Sequence, residues 1–391
     1  MYDIRTLLSE MGVRGASDLY LTAESPPVLR IEGITEVFGE EPLSAPEVED
    51  LANTLMTERQ RAVFEEKLEM NLALASGRLG RFRVNVFRQR GAVAVVIRQI
   101  KVNIPSVDEL GLPQVLKTIV SSRRGLVLVT GATGSGKSTT LAAMIDHRNE
   151  HANGHIVTIE DPIEFVHPHK KCLVSQREVG FDTVSFSEAL RNTLRQAPDL
   201  ILIGEVRDLE TMEAAITFAE TGHLCLATLH SNNANQAIER VMNFFPGIRH
   251  PEIYLQLSLN LRSIVSQRLV QGVDGKRVAA LEILIDTPRV KDLIKKGEID
   301  VLKEAMQQSM LEGGQTFDQA LYDLYAAGRI TEEQALANAD SANNLRIRIK
   351  NLDLKETAKA EAEKRRPLRP DKSDFRIEGV PPQGPPGFRR P

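Results

Sequence analysis

Between Gly131 and Thr139 the chain reads Gly-Ala-Thr-Gly-Ser-Gly-Lys-Ser-Thr, directly after the apolar residues 126–130 and directly before a helix-forming stretch. Glycines at this spacing let successive backbone N–H groups turn inward around an anion. The Lys137 ammonium can then reach the β- and γ-phosphates of a triphosphate, and the Ser138 hydroxyl can complete a Mg²⁺ site. Thr133, Gly134, Ser135, Gly136 and Thr139 supply further donors, and the helix that begins there turns its positive dipole end toward the same anion. A glycine-rich turn with an accidental lysine needs neither the strand before it nor the helix after it, and the sequence offers both. The pattern predicts a loop that binds a nucleoside triphosphate with Mg²⁺.

Such a loop serves many reactions, so the groups that complete its site must come from other segments. Three polar clusters each follow a short apolar run: Glu160-Asp-Pro-Ile-Glu164 after residues 156–159, Gly204-Glu-Val-Arg-Asp208 after 200–203, and Leu229-His-Ser-Asn232 after 224–228. With the runs at 126–130 and 278–284, they alternate with polar or helical segments across residues 114–285. That alternation predicts an α/β core, a mostly parallel sheet with helices on its faces. Ligands of such sheets sit beyond the carboxyl ends of the strands, where the three clusters would converge on one nucleotide.

The segments on either side have different patterns. In residues 1–100, period-two alternation at 18–22, 28–31, 82–87 and 92–97 reads as half-buried antiparallel strands, while 47–74 has helical spacing, so a small α+β domain is expected. Residues 101–113, with Pro105 and Pro113, read as a hinge linker. A helical region is expected over 286–352, broken at Gly313, Gly314 and Gly328. Residues 353–391 read as a disordered tail, because seven of the nineteen prolines fall in 367–391 among arginines and lysines, a composition unable to bury a core.

Composition narrows the function. With 49 basic and 53 acidic residues there is no cationic field for gripping nucleic acid. Two cysteines, Cys172 and Cys225, allow neither a disulfide framework nor a zinc module and fit a reducing cytoplasm. No apolar stretch approaches the roughly 20 residues that span a bilayer, so a membrane link would run through a partner.

Read together, Ile159-Glu-Asp-Pro-Ile-Glu-Phe165 resembles an Asp box, Leu200-Ile-Leu-Ile-Gly-Glu-Val-Arg-Asp208 a Walker B segment, and Thr221-Gly-His-Leu-Cys-Leu-Ala-Thr-Leu-His230 a His box. With the phosphate loop they are similar to the secretion-superfamily ATPases, the hexameric motors of type II secretion and type IV pili. Asp18-Leu-Tyr-Leu21 and Pro26-Pro-Val-Leu-Arg-Ile-Glu-Gly33 extend the resemblance to that family's N-terminal domain. The chain lacks the long N-terminal extension and four-cysteine insertion of the assembly motors, which places it with the PilT/PilU-type retraction branch. Arg289-Val-Lys-Asp-Leu-Ile-Lys-Lys296 departs from the PilT element at that position. Residues 194–199, 225–235 and 340–344, with the tail, resemble the PilU type.

The resemblance implies a RecA-like ATPase core behind a PAS-like N-terminal domain, and it distributes roles. Glu205 holds the metal through water alongside Ser138. Glu164 polarises the attacking water, with Glu160 and Asp161 as competing carboxylates. His230 and His223 sense the γ-phosphate or link subunits, and Arg207, with Arg195 as a weaker candidate, belongs near the same pocket. Arg81, Arg83 and Arg98 approach the nucleotide from the N-terminal domain, where a planar guanidinium can donate two hydrogen bonds to phosphate oxygens; the alternative is that they are solvated strand residues. The implied partners are five further copies in a ring, an inner-membrane pilus platform protein at the cytoplasmic face, and a PilT-type ATPase. A PilT-type primary motor, a RecA-like nucleic-acid translocase, and a non-hydrolysing subunit remain as other readings, the last because Ala197 stands where relatives often carry Asp.

Overall fold

The computed structural model describes residues 2–364 except 32, 77–78 and 101–102; the proline-rich remainder of the expected tail, from 365 onward, lies outside the described residues. The N-terminal part comprises α1 (Ile4–Arg14), β1 (Asp18–Thr22), β2 (Val28–Ile31), β3 (Ile34–Val37), α2 (Ala45–Leu55), α3 (Glu58–Lys67), β4 (Glu69–Ser76), β5 (Gly80–Gln89) and β6 (Ala92–Ile100). Its strands form one antiparallel sheet in the order β3-β2-β1-β6-β5-β4. All four alternating segments became strands, but the helical reading of 47–74 holds only to Lys67. Capping boxes at Ser44 and Thr57 start α2 and α3. Leu68, at φ 62°, then stops α3, and residues 69–76 pair position by position with β5. Cross-strand pairing and burial of Leu72 override the local helical spacing.

The second part comprises α4 (Val115–Val120), β7 (Gly125–Thr130), α5 (Lys137–His151), β8 (Gly154–Glu160), β9 (Cys172–Glu178), α6 (Phe186–Thr193), β10 (Leu200–Ile203), α7 (Leu209–Glu220), β11 (Leu224–Leu229), α8 (Ala234–Met242), α9 (His250–Asn260), β12 (Leu261–Gln271) and β13 (Arg277–Ile285). The sheet order is β13-β12-β7-β11-β10-β8-β9; every neighbouring pair is parallel except β12 with β13. Every residue of β7 is buried, as expected of a strand covered on both faces. Successive side chains alternate between those faces: Leu126 and Leu128 pack with α7, α8 and α9, while Val127 and Val129 pack with α4 and α5. The core is therefore a three-layer α/β sandwich with the phosphate loop leaving an interior strand, β7.

Between the two parts, a turn closed by Ser106 and Glu109 buries Val107 and Leu112 against the second core. Beyond β13 lie α10 (Pro288–Lys296), α11 (Leu302–Gln308), α12 (Phe317–Ala326), α13 (Glu332–Ala337) and α14 (Ala342–Lys364). Gly313 and Gly328, at φ 97° and 66°, interrupt them as expected. The last helix runs past residue 352 to Lys364.

Candidate functional site

The phosphate loop is shaped from two sides. Gly131, Gly134 and Gly136 have φ of 148°, 78° and 89°, a region closed to most L side chains. Gly131 and Gly136 are also crowded: a Cβ would sit 2.5 Å from the Gln267 carbonyl oxygen in the first case and 2.8 Å from the Gln267 Nε2 in the second. Gln267, 3% exposed on β12, clamps the loop. Its Nε2 donates to the Ser135 carbonyl at 2.8 Å, and its Oε1 accepts from Thr140 Oγ1 at 2.7 Å. Lys137 begins α5 and donates to the carbonyls of Gly131 (2.8 Å) and Ala132 (3.1 Å). Burial holds the Lys137 ammonium below its ordinary pKa, while the charges of Glu205 and Glu164 work the other way.

A cavity of about 570 Å³ opens over this loop, and residues 133–139 form its floor. Its walls come from the carboxyl ends of β8, β10 and β11, which bring Glu160, Asp161, Glu164, Glu205, Arg207 and His230 to one place. Parallel pairing of those strands with each other and with β7 causes this convergence. Val206 N–H donates to the Thr228 carbonyl, and the Thr228 hydroxyl to that of Gly204, tying the Walker B and His-box ends together. Glu205 lies 2.6 Å from Arg207 Nη2 and 3.0 Å from His230 Nε2. Burial raises the Glu205 pKa, but the hydrogen bond and charge of Arg207, with His230 and Lys137, carry it below the ordinary value. Arg207 also lies 3.7 Å from Asp161.

The carboxylates of the Asp box differ in state. Glu160 accepts from Thr158 Oγ1 (2.7 Å) and Gln176 Nε2 (3.1 Å), yet burial of its carboxyl pushes its pKa up to about 7. Glu164 is an exposed residue on the cavity wall. Asp161 is exposed there too but lies 3.7 Å from the Arg207 guanidinium, which leaves Glu164 as the exposed carboxylate with no ion pair among the described residues. A carboxyl near neutrality with committed partners serves poorly as a permanent negative charge.

The remaining expected residues lie outside the cavity wall. His223 precedes β11, and its Nδ1 lies 3.1 Å from Thr221 Oγ1 and 3.3 Å from the Phe218 carbonyl. It sits at the amino end of the strand that carries His230 at the other end, about 20 Å away at strand rise, so it does not line the cavity. Arg98 does not either; it pairs with the buried Asp18 at 2.7 Å within the N-terminal sheet. Arg81 and Arg83 are absent from the cavity wall and instead meet Glu178 at the end of β9, each at 3.6 Å. Arg195 bonds Asn192 on the surface. Ala197 ends a short turn at φ 50°, on the approach to the amino end of β10 and away from the cavity. Sequence reasoning missed Gln267, Glu178 and His167, a buried cavity residue whose pKa burial lowers to about 4. None of the three belongs to a motif.

A phosphate loop on an interior strand of a mostly parallel sheet, with Lys137 and a Walker B glutamate converging above it, defines a P-loop ATPase. Residues 2–359 match the family described as "Type II/IV secretion system protein". The chain is 54% identical over 349 residues to the type IV pilus ATPase PilU of Pseudomonas aeruginosa, covering 89% of this chain and 91% of that one. It is 46% identical to the type IV pilus retraction ATPase PilT of the same organism, covering 88% and 99%. The crystal structure of the pilus retraction motor PilT with bound ADP superposes with a TM-score of 0.82 at 42% identity, covering 87% of this chain and 98% of that one. The chain belongs to the type II/IV secretion system protein family, as an ATPase of the PilT/PilU type.

Proposed function

We propose that this ATPase is a ring-forming motor of the type IV pilus machinery that couples ATP hydrolysis to pilus retraction, as an accessory motor of the PilU type beside a PilT-type ATPase. The observation that carries the reading is the convergence of Lys137, Glu164 and Glu205 in one cavity of a chain 54% identical to a pilus ATPase over nearly its whole length. Lys137 would exchange its two loop carbonyls for phosphate oxygens. Glu164 would orient the attacking water, which is the main task of a carboxylate in phosphoryl transfer. The Ser138 hydroxyl and the Glu205 carboxylate, held below its ordinary pKa, are hard oxygen donors of the kind Mg²⁺ takes, and would hold it. When bound, Mg²⁺ neutralises charge developing on the β- and γ-oxygens. His230, 3.0 Å from Glu205, would report the filling of the site to the β11–α8 turn.

ATP between the two domains of each of six subunits would close them about residues 101–113, and hydrolysis would let them reopen. That motion would act on a platform protein in the inner membrane from its cytoplasmic side. The test is Mg²⁺-dependent ATP hydrolysis by the wild type beside Glu164→Gln at matched nucleotide occupancy. Loss of about 100-fold or more in turnover with binding kept is expected for a water-orienting carboxylate; equal turnover would remove Glu164 from that role.

A further inference from the structure

Glu178 is 1% exposed, and neither of its carboxylate oxygens has a hydrogen bond of ordinary geometry. Its compensation comes from the other domain. Arg81 Nη2 lies 3.6 Å from Oε2 and Arg83 Nε 3.6 Å from Oε1, and the two arginines share a face of β5 because they alternate along it. Arg81 Nε is itself buried without an acceptor. These ion pairs are longer than hydrogen bonds. The carboxylate is buried while the two guanidiniums facing it are 28% and 33% exposed, so its charge is met but its oxygens stay unsatisfied, and the attraction is offset by desolvation that hydrogen bonds do not repay. Guanidiniums held this loosely would gain from a bidentate oxyanion.

Glu178 is also one strand away from the cavity wall. Glu178 pairs in register with Glu160, a cavity residue, and the next N–H, of Val179, donates to the Glu160 carbonyl at 2.9 Å. The Ile163 N–H, adjacent to Glu164, faces the Glu178 carboxylate, whose charge burial opposes and Arg83 and Arg81 support. One side chain thus touches the loop that carries Glu164 and the strand that carries two arginines of the N-terminal domain.

We propose that Glu178 is the resting partner of Arg81 and Arg83, which leave it for the phosphates of the nucleotide as the domains close and return to it as they reopen. This makes Glu178 a positioning residue for hydrolysis, and it rests on the reading that these arginines serve the nucleotide. It goes beyond that reading by assigning the competitor that sets how readily they do so. Filling the cavity and breaking the contact become one equilibrium, and the cost of breaking it weakens nucleotide binding by the same factor.

The test is a double-mutant cycle on the full chain with Glu178→Gln, which keeps the shape and removes the charge, and the pair Arg81→Gln/Arg83→Gln. Binding of a non-hydrolysed ATP analogue and ATP turnover are read, with thermal unfolding in the absence of nucleotide to establish that each variant is folded. E178Q is expected to tighten analogue binding about 5-fold or more, and the gain is expected to vanish in the arginine-free background. A gain of equal size there would mean that only a repelling charge had been removed, and would overturn the exchange. Wild-type turnover in the arginine pair would overturn the arginine reading and the exchange with it. Lost turnover with an uncoupled E178Q gain would overturn the exchange alone. If E178Q fails to fold, the aliphatic isostere Glu178→Met enters the same cycle, with the same results supporting or overturning the exchange.

Discussion

Gln267 shows how much of a phosphate loop lies outside its motif. Its amide spends both ends on the loop and on Thr140 of α5, and its position is one reason that residues 131 and 136 must be glycine. Leucine of similar volume would leave the Ser135 carbonyl and the Thr140 hydroxyl buried without partners, at roughly 1–3 kcal/mol each. Gln267→Leu is therefore expected to lower stability by a few kcal/mol and, because the loop loses its fixed curvature, to weaken ATP binding by about tenfold, on the order of 1.4 kcal/mol. Titration with a fluorescent nucleotide and thermal unfolding read the two effects separately. A lowered melting temperature with unchanged affinity would confine Gln267 to packing. The loop's own residues were legible because phosphate chemistry fixes their types and spacing. Gln267 was not, because its role arises from a contact between residues more than a hundred positions apart.

At the scale of elements, α8 links the His box to the C-terminal helices through a buried acid. Asn233 caps the helix, and the Ala234 N–H donates to Glu282 Oε1 of β13 at 2.7 Å. Glu282 is 2% exposed; burial pushes its pKa up to about 7, with Asp340 adding to the rise while the Ala234 N–H, Ser266 and Lys303 oppose it. A carboxyl raised in the folded state contributes stability that is fully present below its unfolded pKa near 4.5 and lost as pH climbs through about 7. The loss amounts to up to about 3 kcal/mol. Glu160, also pushed up to about 7, adds a second contribution of the same sign. Glu282→Gln keeps an acceptor for Ala234 and is expected to remove about half of the fall in stability between pH 4.5 and 7.5, with a higher melting temperature than wild type at pH 8. Urea unfolding at a series of pH values measures this, and an unchanged slope would show that Glu282 titrates alike in both states.

The same scale explains which elements could be read in advance. The strands β7, β10, β11 and β13 each contain a continuous apolar run, and β8 one broken only by the buried Thr158, as burial on both faces demands. The edge strand β9 ends in Ser-Gln-Arg-Glu, and β12 places Arg262, Ser263, Ser266, Gln267 and Arg268 among its apolar residues; neither carries a period that singles out a strand. Both supply residues on which the site depends. His223 and His230 look equivalent in the sequence, and the six residues of β11 between them put one at each end of the sheet.

For the whole molecule, the surface indicates what a single chain leaves unfinished. Ile248 is 92% exposed just before α9, and Leu255 and Leu259, four residues apart on one stripe of that helix, are 42% and 69% exposed. Single exposed apolar residues are ordinary, but three within one short stretch mark a surface that favours being covered. In the proposed ring a neighbouring copy would cover it. Light scattering on a sizing column is expected to give the mass of six chains at micromolar concentration with ATP, and Leu255→Glu/Leu259→Glu is expected to give smaller species with the chain's own unfolding unchanged. Substitution at exposed positions costs a folded monomer little, so a loss of assembly without a loss of fold assigns α9 to the subunit boundary. A wild type that stays strictly monomeric with ATP would overturn the ring, and with it domain closure passed from one subunit to the next.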